Sequence, residues 1–132
     1  MHTRHLDESP QHRRGGQVSY LLLTAGDAGS QNLSITWVEG EPGSEQERHA
    51  HDDAEQVYVI VAGRGLMRVA GEEKEVGPGT LVFVPKGALH SIRNLGAEKL
   101  VYVSATSPPF SESLLSALYE PPPAAGTSAR AQ

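Results

Sequence analysis

The sequence predicts an all-β protein built from short strands, either a sandwich or a barrel. Apolar and β-branched runs recur along the chain, and segments rich in glycine and proline separate them. Short strands at close spacing with turn signals between them are typical of these two architectures. The chain has 132 residues and shows no internal repeat, which indicates a single domain.

Individual segments carry the strand signal in different ways. Residues 33–38 alternate apolar and small polar side chains, as a half-buried strand does, whereas residues 81–84 are apolar throughout and predict a buried strand. Residues 71–74 have the composition of a hairpin turn, after which a short strand begins at Glu75. The remaining predicted strands share β-branched and aromatic composition and cover residues 18–24, 56–62, 66–70 and 100–104.

Both ends of the chain differ from this central part. Residues 1–16 carry His2, His5, His12 and an arginine pair but few apolar groups, so we interpret them as a flexible arm rather than a further metal or anion site. In an oligomer this arm could add a strand to a neighbour. The strands then predict a barrel over residues 17–107.

A short helix is expected within residues 108–120. Ser111 is a good N-cap for residues 112–119, and Leu114, Leu115 and Leu118 share one face of that helix. Three prolines at 121–123 end it. Residues 121–132 are small and polar, so a disordered tail is predicted there.

Bulk properties exclude several functions. A net charge of −5 and a pI near 5.6 argue against nucleic-acid binding. The chain contains no cysteine, which excludes disulfides and thiolate metal sites. It also lacks a run of about 18 apolar residues that could span a membrane, and its start has no apolar signal core. We therefore expect a cytoplasmic protein.

Two histidines mark the candidate functional site. His49 and His51 point the same way if their segment is extended, and Glu55 keeps the same parity. Two imidazoles and a carboxylate on one face form a set of metal ligands, and His90 would supply a third nitrogen from another strand. A His-x-His pair taken alone is more often an ordinary solvated pair.

The spacing around these residues extends into two motifs. The first contains Gly43, His49, His51 and Glu55; the second contains Gly79, Pro85, Gly87, His90 and Asn94. Together they resemble the two sequence motifs of the cupin family, and the 15 residues between Gly63 and Gly79 match the short spacing of its small single-domain microbial members. The resemblance extends to about residue 104. It implies a double-stranded β-helix, or jelly-roll barrel, with a metal bound by the two histidines, Glu55 and His90.

The ligand set leaves the identity of the metal open. Nitrogen and oxygen ligands without sulfur admit Mn, Fe, Co, Ni, Cu and Zn, and the resemblance favours one Fe or Mn ion per chain. Four protein ligands leave one or two open positions, as in a catalytic site.

The resemblance implies an enzyme that is dioxygenase-like, or an isomerase or cyclase, acting on a small molecule that chelates the metal through oxygen. A non-catalytic binding or sensor module remains the alternative. Candidate pocket residues are Trp37, Met67, Phe83 and Ile92, although each also suits the core, and mostly apolar walls are expected around the metal. Exposed edge strands, together with the resemblance, predict a homodimer.

Overall fold

The structure is a computed structural model that describes residues 1–123. Nine strands and one α-helix form its framework, and two single 3₁₀ turns lie at Leu6–Glu8 and Asp27–Gly29. The elements are β1 (Gln11–Arg14), β2 (Gln17–Leu23), β3 (Ser34–Gly40), β4 (Glu55–Ala62), β5 (Gly65–Val69), β6 (Glu72–Val76), β7 (Leu81–Val84), β8 (His90–Asn94), β9 (Leu100–Ser107) and α1 (Glu112–Leu118).

The strands form two antiparallel sheets. The larger sheet has six strands in the order β1-β2-β3-β9-β4-β7, and the smaller has three in the order β6-β5-β8. Because β4 pairs with both β9 and β7, distant parts of the chain become neighbours. The predicted all-β jelly roll with a short C-terminal helix is confirmed.

The hydrophobic core is built from residues of both sheets. Its fully buried members come from both sheets and include Tyr58, Tyr102, Ile60, Leu100 and Ile92. The rings of Tyr58 and Tyr102 stack at 4.9 Å with an interplanar angle of 8°, so the aromatic packing of the core lies on the inner face of the larger sheet.

The N-terminal segment is ordered, contrary to the prediction of a flexible arm for residues 1–16. Its strand β1 pairs antiparallel with β2 of the same chain. Gly15 and Gly16 both have positive φ, 58° and 81°, which is the geometry of a two-residue hairpin turn. Arg4 forms an ion pair of 2.9 Å with Asp27, and Ser9 is fully buried. The segment is therefore an edge strand of the barrel itself.

Two strand predictions need correction. The turn expected at residues 71–74 lies one or two residues earlier, because Glu72 already begins β6, after Ala70 and Gly71 with positive φ. Strand β7 has the predicted limits but is not buried: Leu81 and Phe83 are 58% and 50% exposed. They lie on the outer face of the larger sheet, where an apolar strand meets solvent.

The predicted helix is present. Ser111 caps it by accepting a hydrogen bond from the Leu114 N–H at 3.2 Å, and the helix ends at Leu118. Of the predicted tail, residues 121–123 have no regular structure and residues 124–132 lie outside the described residues. Within residues 1–123, no helix is long and apolar enough to cross a membrane.

Candidate metal centre

The backbone brings the two histidine motifs together. His49 and His90 are direct partners in an isolated antiparallel bridge. The His49 N–H donates to the His90 carbonyl at 3.1 Å, and the His90 N–H donates to the His49 carbonyl at 2.9 Å. Directly opposed residues on antiparallel strands project to the same side, so this bridge sets two imidazoles side by side.

His51 completes a group of three. One ring nitrogen from each of His49, His51 and His90 lies within 4.8 Å of the others. The ring centroids of His49 and His90 are 4.1 Å apart, and that of His51 is 5.1 Å from His49 and 5.8 Å from His90. Nitrogens that converge in this way can bind one transition metal ion.

Backbone carbonyls select the tautomer of two of these histidines. Nδ1 of His49 lies 2.8 Å from the Glu47 carbonyl, and Nδ1 of His90 lies 2.9 Å from the Ala88 carbonyl. A carbonyl oxygen can only accept, so Nδ1 carries the proton and Nε2 keeps its lone pair for a metal. Nε2 of His90 is buried and has no hydrogen-bond partner within residues 1–123, which fits a ligand atom.

Burial favours the neutral, metal-binding form of two of these histidines, His90 and His51. Burial lowers the pKa of His90 to about 4; a backbone bond to Ala88 opposes the shift, while His49 and His51 add to it. Burial, followed by the neighbouring His49, also lowers the pKa of His51.

Glu55 does not join this group, contrary to its prediction as the fourth ligand. It is the first residue of β4, is exposed, and pairs with Ser107 on β9. Glu55 would share a face with His49 only in a continuous strand, but the chain bends at Asp52 and Asp53 before β4 begins. That bend shifts the alternation by one residue.

Gln56 faces inward instead. Its side chain is 4% exposed, and its Nε2 donates to Thr106 Oγ1 at 2.8 Å and Ser104 Oγ at 3.3 Å. Its Oε1 is buried and finds no hydrogen-bond partner among the described residues. Gln56 shares a face of β4 with the inward-facing Tyr58 and Ile60, two and four residues further on. The sequence does not reveal which face is inward, because valines occupy the alternate positions and either face could be the buried one.

A large cavity adjoins the histidines. Its volume is about 730 Å³, and His49, His51 and Gln56 are among its lining residues. Hydroxyl groups on the larger sheet supply much of one wall, namely those of Ser19, Thr36, Tyr58, Tyr102 and Ser104. Apolar atoms still make up most of the lining, as expected. The hydroxyl groups add polar positions to it, because hydroxyl residues that face inward alternate along these strands with aliphatic residues that face outward.

None of the four candidate pocket residues lines this cavity. Met67 and Ile92 are 3% and 0% exposed and belong to the hydrophobic core. Trp37 lies on the opposite face of β3 from the lining residues Thr36 and Val38, and Phe83 is on the outer face of β7. The sequence signal for the pocket was the set of Ser and Thr residues at inward positions.

Charged residues and the C-terminal segment surround the cavity. Arg14 and Glu47 form an exposed ion pair of 2.7 Å, and both line the cavity together with His12, Glu45 and Arg48. Phe110, Leu114, Leu115 and Leu118 contribute apolar surface, and the ring of Phe110 lies 5.5 Å from that of His51. The cavity beside the histidines is therefore lined by both polar and apolar side chains.

A fold of this topology with three convergent histidines defines a small jelly-roll protein equipped to bind a metal. The sequence model of the cupin domain family matches residues 36–106 of the chain. The chain therefore belongs to the cupin family. An uncharacterised protein of Streptomyces coelicolor is 30% identical over 79% of this chain and 93% of its own length.

Other relatives match part of the chain. Tetracenomycin polyketide synthase protein TcmJ of Streptomyces glaucescens is 31% identical over 67% of this chain. An uncharacterised protein of Methanocaldococcus jannaschii is 36% identical over 52% of it. The matched segments span 58% and 55% of the lengths of these two relatives.

Solved structures share the fold at lower identity. KdgF from Halomonas has a TM-score of 0.72 at 19% identity, covering 87% of this chain and 98% of its own. A predicted oxalate decarboxylase from Thermotoga maritima has a TM-score of 0.73 at 21% identity, covering 81% and 98%. These similarities establish the fold. The reaction has to be inferred from the residues of the site, because proteins of one fold can catalyse different reactions.

Proposed function

We propose that this chain is a metal-dependent cupin enzyme that binds one divalent transition metal and acts on a small organic molecule through its oxygen atoms. The observation that carries this proposal is the convergence of three histidine nitrogens within 4.8 Å beside a cavity. His49, His51 and His90 would hold the metal, and the amide oxygen of Gln56 is the candidate fourth donor. Fe or Mn is favoured for oxygen chemistry, with Ni, Zn, Co and Cu also suited to these ligands.

The charge of the ligand set supports an oxygen-bearing substrate. Within residues 1–123, no carboxylate joins the histidine group, and both imidazole and amide are neutral. A divalent ion would therefore keep its full charge and attract an anionic oxygen such as an enolate or catecholate. When bound, the metal supplies Lewis-acid activation of the substrate or a position for dioxygen. The reaction proposed is accordingly dioxygenase-like, or an isomerisation or cyclisation.

The chain's own residues would position the substrate. Hydroxyl groups of Thr36 and Ser104 lie along one wall and can donate to or accept from a substrate oxygen. The phenol of Tyr58 already donates to Gln46 Oε1 at 3.0 Å. Burial raises the pKa of Tyr58 and of Tyr102, so both phenols remain protonated hydrogen-bond donors.

A non-catalytic binding or sensor module is the second candidate. It is favoured because no carboxylate within residues 1–123 joins the histidine group. If the metal occupies all three histidines, the group has no side chain left to act as a general base. Such a module would bind the same kind of ligand without turnover.

Metal uptake tests the shared basis of both candidates. Untagged protein, reconstituted separately with Fe(II), Mn(II), Ni(II) and Zn(II) and then dialysed, should retain about one ion per chain by elemental analysis. The His90→Ala variant should bind metal at least about tenfold more weakly. The His12→Ala variant is the matched control, since His12 lines the cavity outside the group. A parent protein that retains none of these metals would contradict the proposal.

Turnover separates the two candidates. The metal-loaded protein should be incubated with diketones, phenolic acids and catechols while oxygen uptake and products are followed. Product formation that the His90→Ala variant lacks supports the enzyme. Metal-dependent binding without any product supports the binding module.

A further inference from the structure

The wall formed by the C-terminal segment has an unusual exposure of apolar side chains. None of the seven residues of α1 is buried, and Leu114 and Leu118 are 40% and 36% exposed. Both leucines nevertheless line the cavity, together with Leu115 and Phe110. We call these four residues the apolar wall. Side chains of this kind gain free energy when a ligand removes them from water.

Hydrogen bonds attach the apolar wall to the barrel at both of its ends. Before α1, the Phe110 N–H donates to Ser34 Oγ at 3.1 Å. After α1, the hydroxyl of Tyr119 lies 2.7 Å from that of Ser19, and Gln11 and Glu120 form a backbone bridge. The position of α1 over the cavity is thus fixed by the barrel, while its leucines stay uncovered.

The cavity is also larger than a metal-chelating group needs. Cavities of about 300–1,000 Å³ bind drug-sized ligands, and this one measures about 730 Å³. A dicarbonyl or catechol group bound at the histidines would fill only a fraction of that volume. The ring of Phe110 lies 5.5 Å from the His51 ring, so the apolar wall begins beside the metal centre and continues along α1.

We propose that the ligand is an elongated amphiphile, with chelating oxygens at the histidines and a ring or alkyl portion against the apolar wall, and that the leucines of α1 select that portion. The oxygen end of this ligand rests on the proposed function. The apolar end rests on the placement of Leu114, Leu115 and Leu118. Small hydrophilic acids and free sugars would leave the apolar wall in water and are poor candidates.

The test is a series of catechols that differ only in their apolar part. Catechol, 4-methylcatechol, 4-butylcatechol and naphthalene-2,3-diol are titrated under nitrogen into the Ni(II)-loaded protein, and binding is measured by calorimetry. Affinity should rise along the series, by up to about fourfold for each methylene group that becomes fully buried. The double variant Leu114→Gln with Leu118→Gln should show a smaller rise in affinity along the series. It should still bind the metal, and its affinity for unsubstituted catechol should be unchanged.

A matched control keeps the helix and changes its other residues. Ser113 and Ala117 are exposed and do not line the cavity, so the double variant Ser113→Gln with Ala117→Gln should preserve the increase. Glutamine is close to leucine in helix propensity, which limits unfolding of α1. An affinity that does not rise along the series in the parent, or that rises equally in the leucine double variant, overturns the inference.

A second experiment tests this inference independently of the proposed function. Naphthalene-2,3-diol is titrated into metal-free protein, where only the cavity walls can bind it. Weaker binding by the leucine double variant than by the control supports the apolar wall even if the protein takes up no metal. Failure of the metal-free parent to bind the diol at its solubility limit, together with failure of metal uptake, overturns both.

Discussion

At the scale of single residues, a shift of one position decides the charge of the ligand set in the candidate metal centre. Glu55 and Gln56 are adjacent, but only Gln56 faces the cavity. Its Nε2 is fixed by Thr106 and Ser104, which leaves Oε1 as the atom available to a metal. A carboxylate there would have cancelled part of the charge of a divalent ion, whereas an amide oxygen does not.

Substitutions at these two positions distinguish the inward residue from the outward one. Replacing Gln56 with Leu removes the candidate oxygen donor and should weaken binding of Ni(II) or Co(II) by about tenfold or more. Replacing Glu55 with Leu, which also removes an oxygen donor, should leave the affinity unchanged, because Glu55 is exposed and outside the histidine group. Isothermal calorimetry measures both. A loss only in Glu55→Leu would return the fourth ligand to Glu55, and unchanged affinity in Gln56→Leu would contradict a role for Gln56.

The histidines could be predicted from the sequence because their geometry is local. His49 and His51 need only a short extended segment, and the second motif supplies His90 at a fixed spacing. Glu55 could not be assigned correctly, since the bend at Asp52 and Asp53 changes the parity without a strong sequence signal. The pocket residues were missed for another reason: a large apolar side chain fits a core, a pocket or an outer face equally well, and only the pairing of strands decides which.

At the scale of elements, the N-terminal hairpin shows how tertiary pairing can override composition. Strand β1 has the sequence Gln-His-Arg-Arg, which contains no apolar residue, so hydrophobic periodicity cannot detect it. Its stability comes from the ladder with β2 and from the Gly15-Gly16 turn. The diglycine pair is itself a hairpin signal and was the feature that could have revealed this strand. By contrast, α1 was predictable because Ser111 is a strong local cap.

The turn of this hairpin should be sensitive to a single methyl group. Gly16 has φ +81°, and a Cβ there would lie 3.2 Å from the Cβ of Ser44. Left-handed backbone costs a residue with a Cβ about 1–2 kcal/mol, so Gly16→Ala should lower the free energy of unfolding by about that amount. Urea denaturation followed by tryptophan fluorescence measures it.

Gly77 provides the matched control. Its φ is not positive, and a Cβ there would have its nearest neighbour at 4.0 Å, the carbonyl oxygen of Gly63. Gly77→Ala should therefore change the free energy of unfolding by no more than about 0.5 kcal/mol. If Gly16→Ala were as stable as Gly77→Ala, the hairpin would not be a stabilising part of the barrel.

At the scale of the whole molecule, the outer surface of the larger sheet is apolar across several strands. Val57 pairs with Phe83 and Ala105, and Val59 pairs with Leu81 and Val103. Residues that pair directly share one face of a sheet, so these side chains form a continuous surface. Val59, Val61, Leu81 and Phe83 are each between 36% and 58% exposed. Large apolar patches of this kind mark interaction sites on soluble proteins.

A second copy of the chain is the partner we expect on this face. Strand β7 forms one edge of the larger sheet, so the apolar surface continues to a boundary where a neighbouring sheet could pack. Two-fold dimers are the commonest oligomers, and a stable interface buries about 800 Å² on each partner. Light scattering at micromolar concentration should give twice the chain mass of 14.1 kDa.

Charge placed on this face should dissociate the dimer without unfolding the barrel. The double variant Leu81→Lys with Phe83→Lys puts like charges opposite each other across a two-fold interface, where they would lose hydration without gaining a partner. Leu89→Lys is the control, because Leu89 is 50% exposed, as Phe83 is, but lies between β7 and β8. The double variant should scatter as a monomer with an unchanged far-ultraviolet circular dichroism spectrum, and Leu89→Lys should remain dimeric. A monomeric parent would contradict the dimer itself, whereas a dimeric double variant would place the interface elsewhere on the molecule.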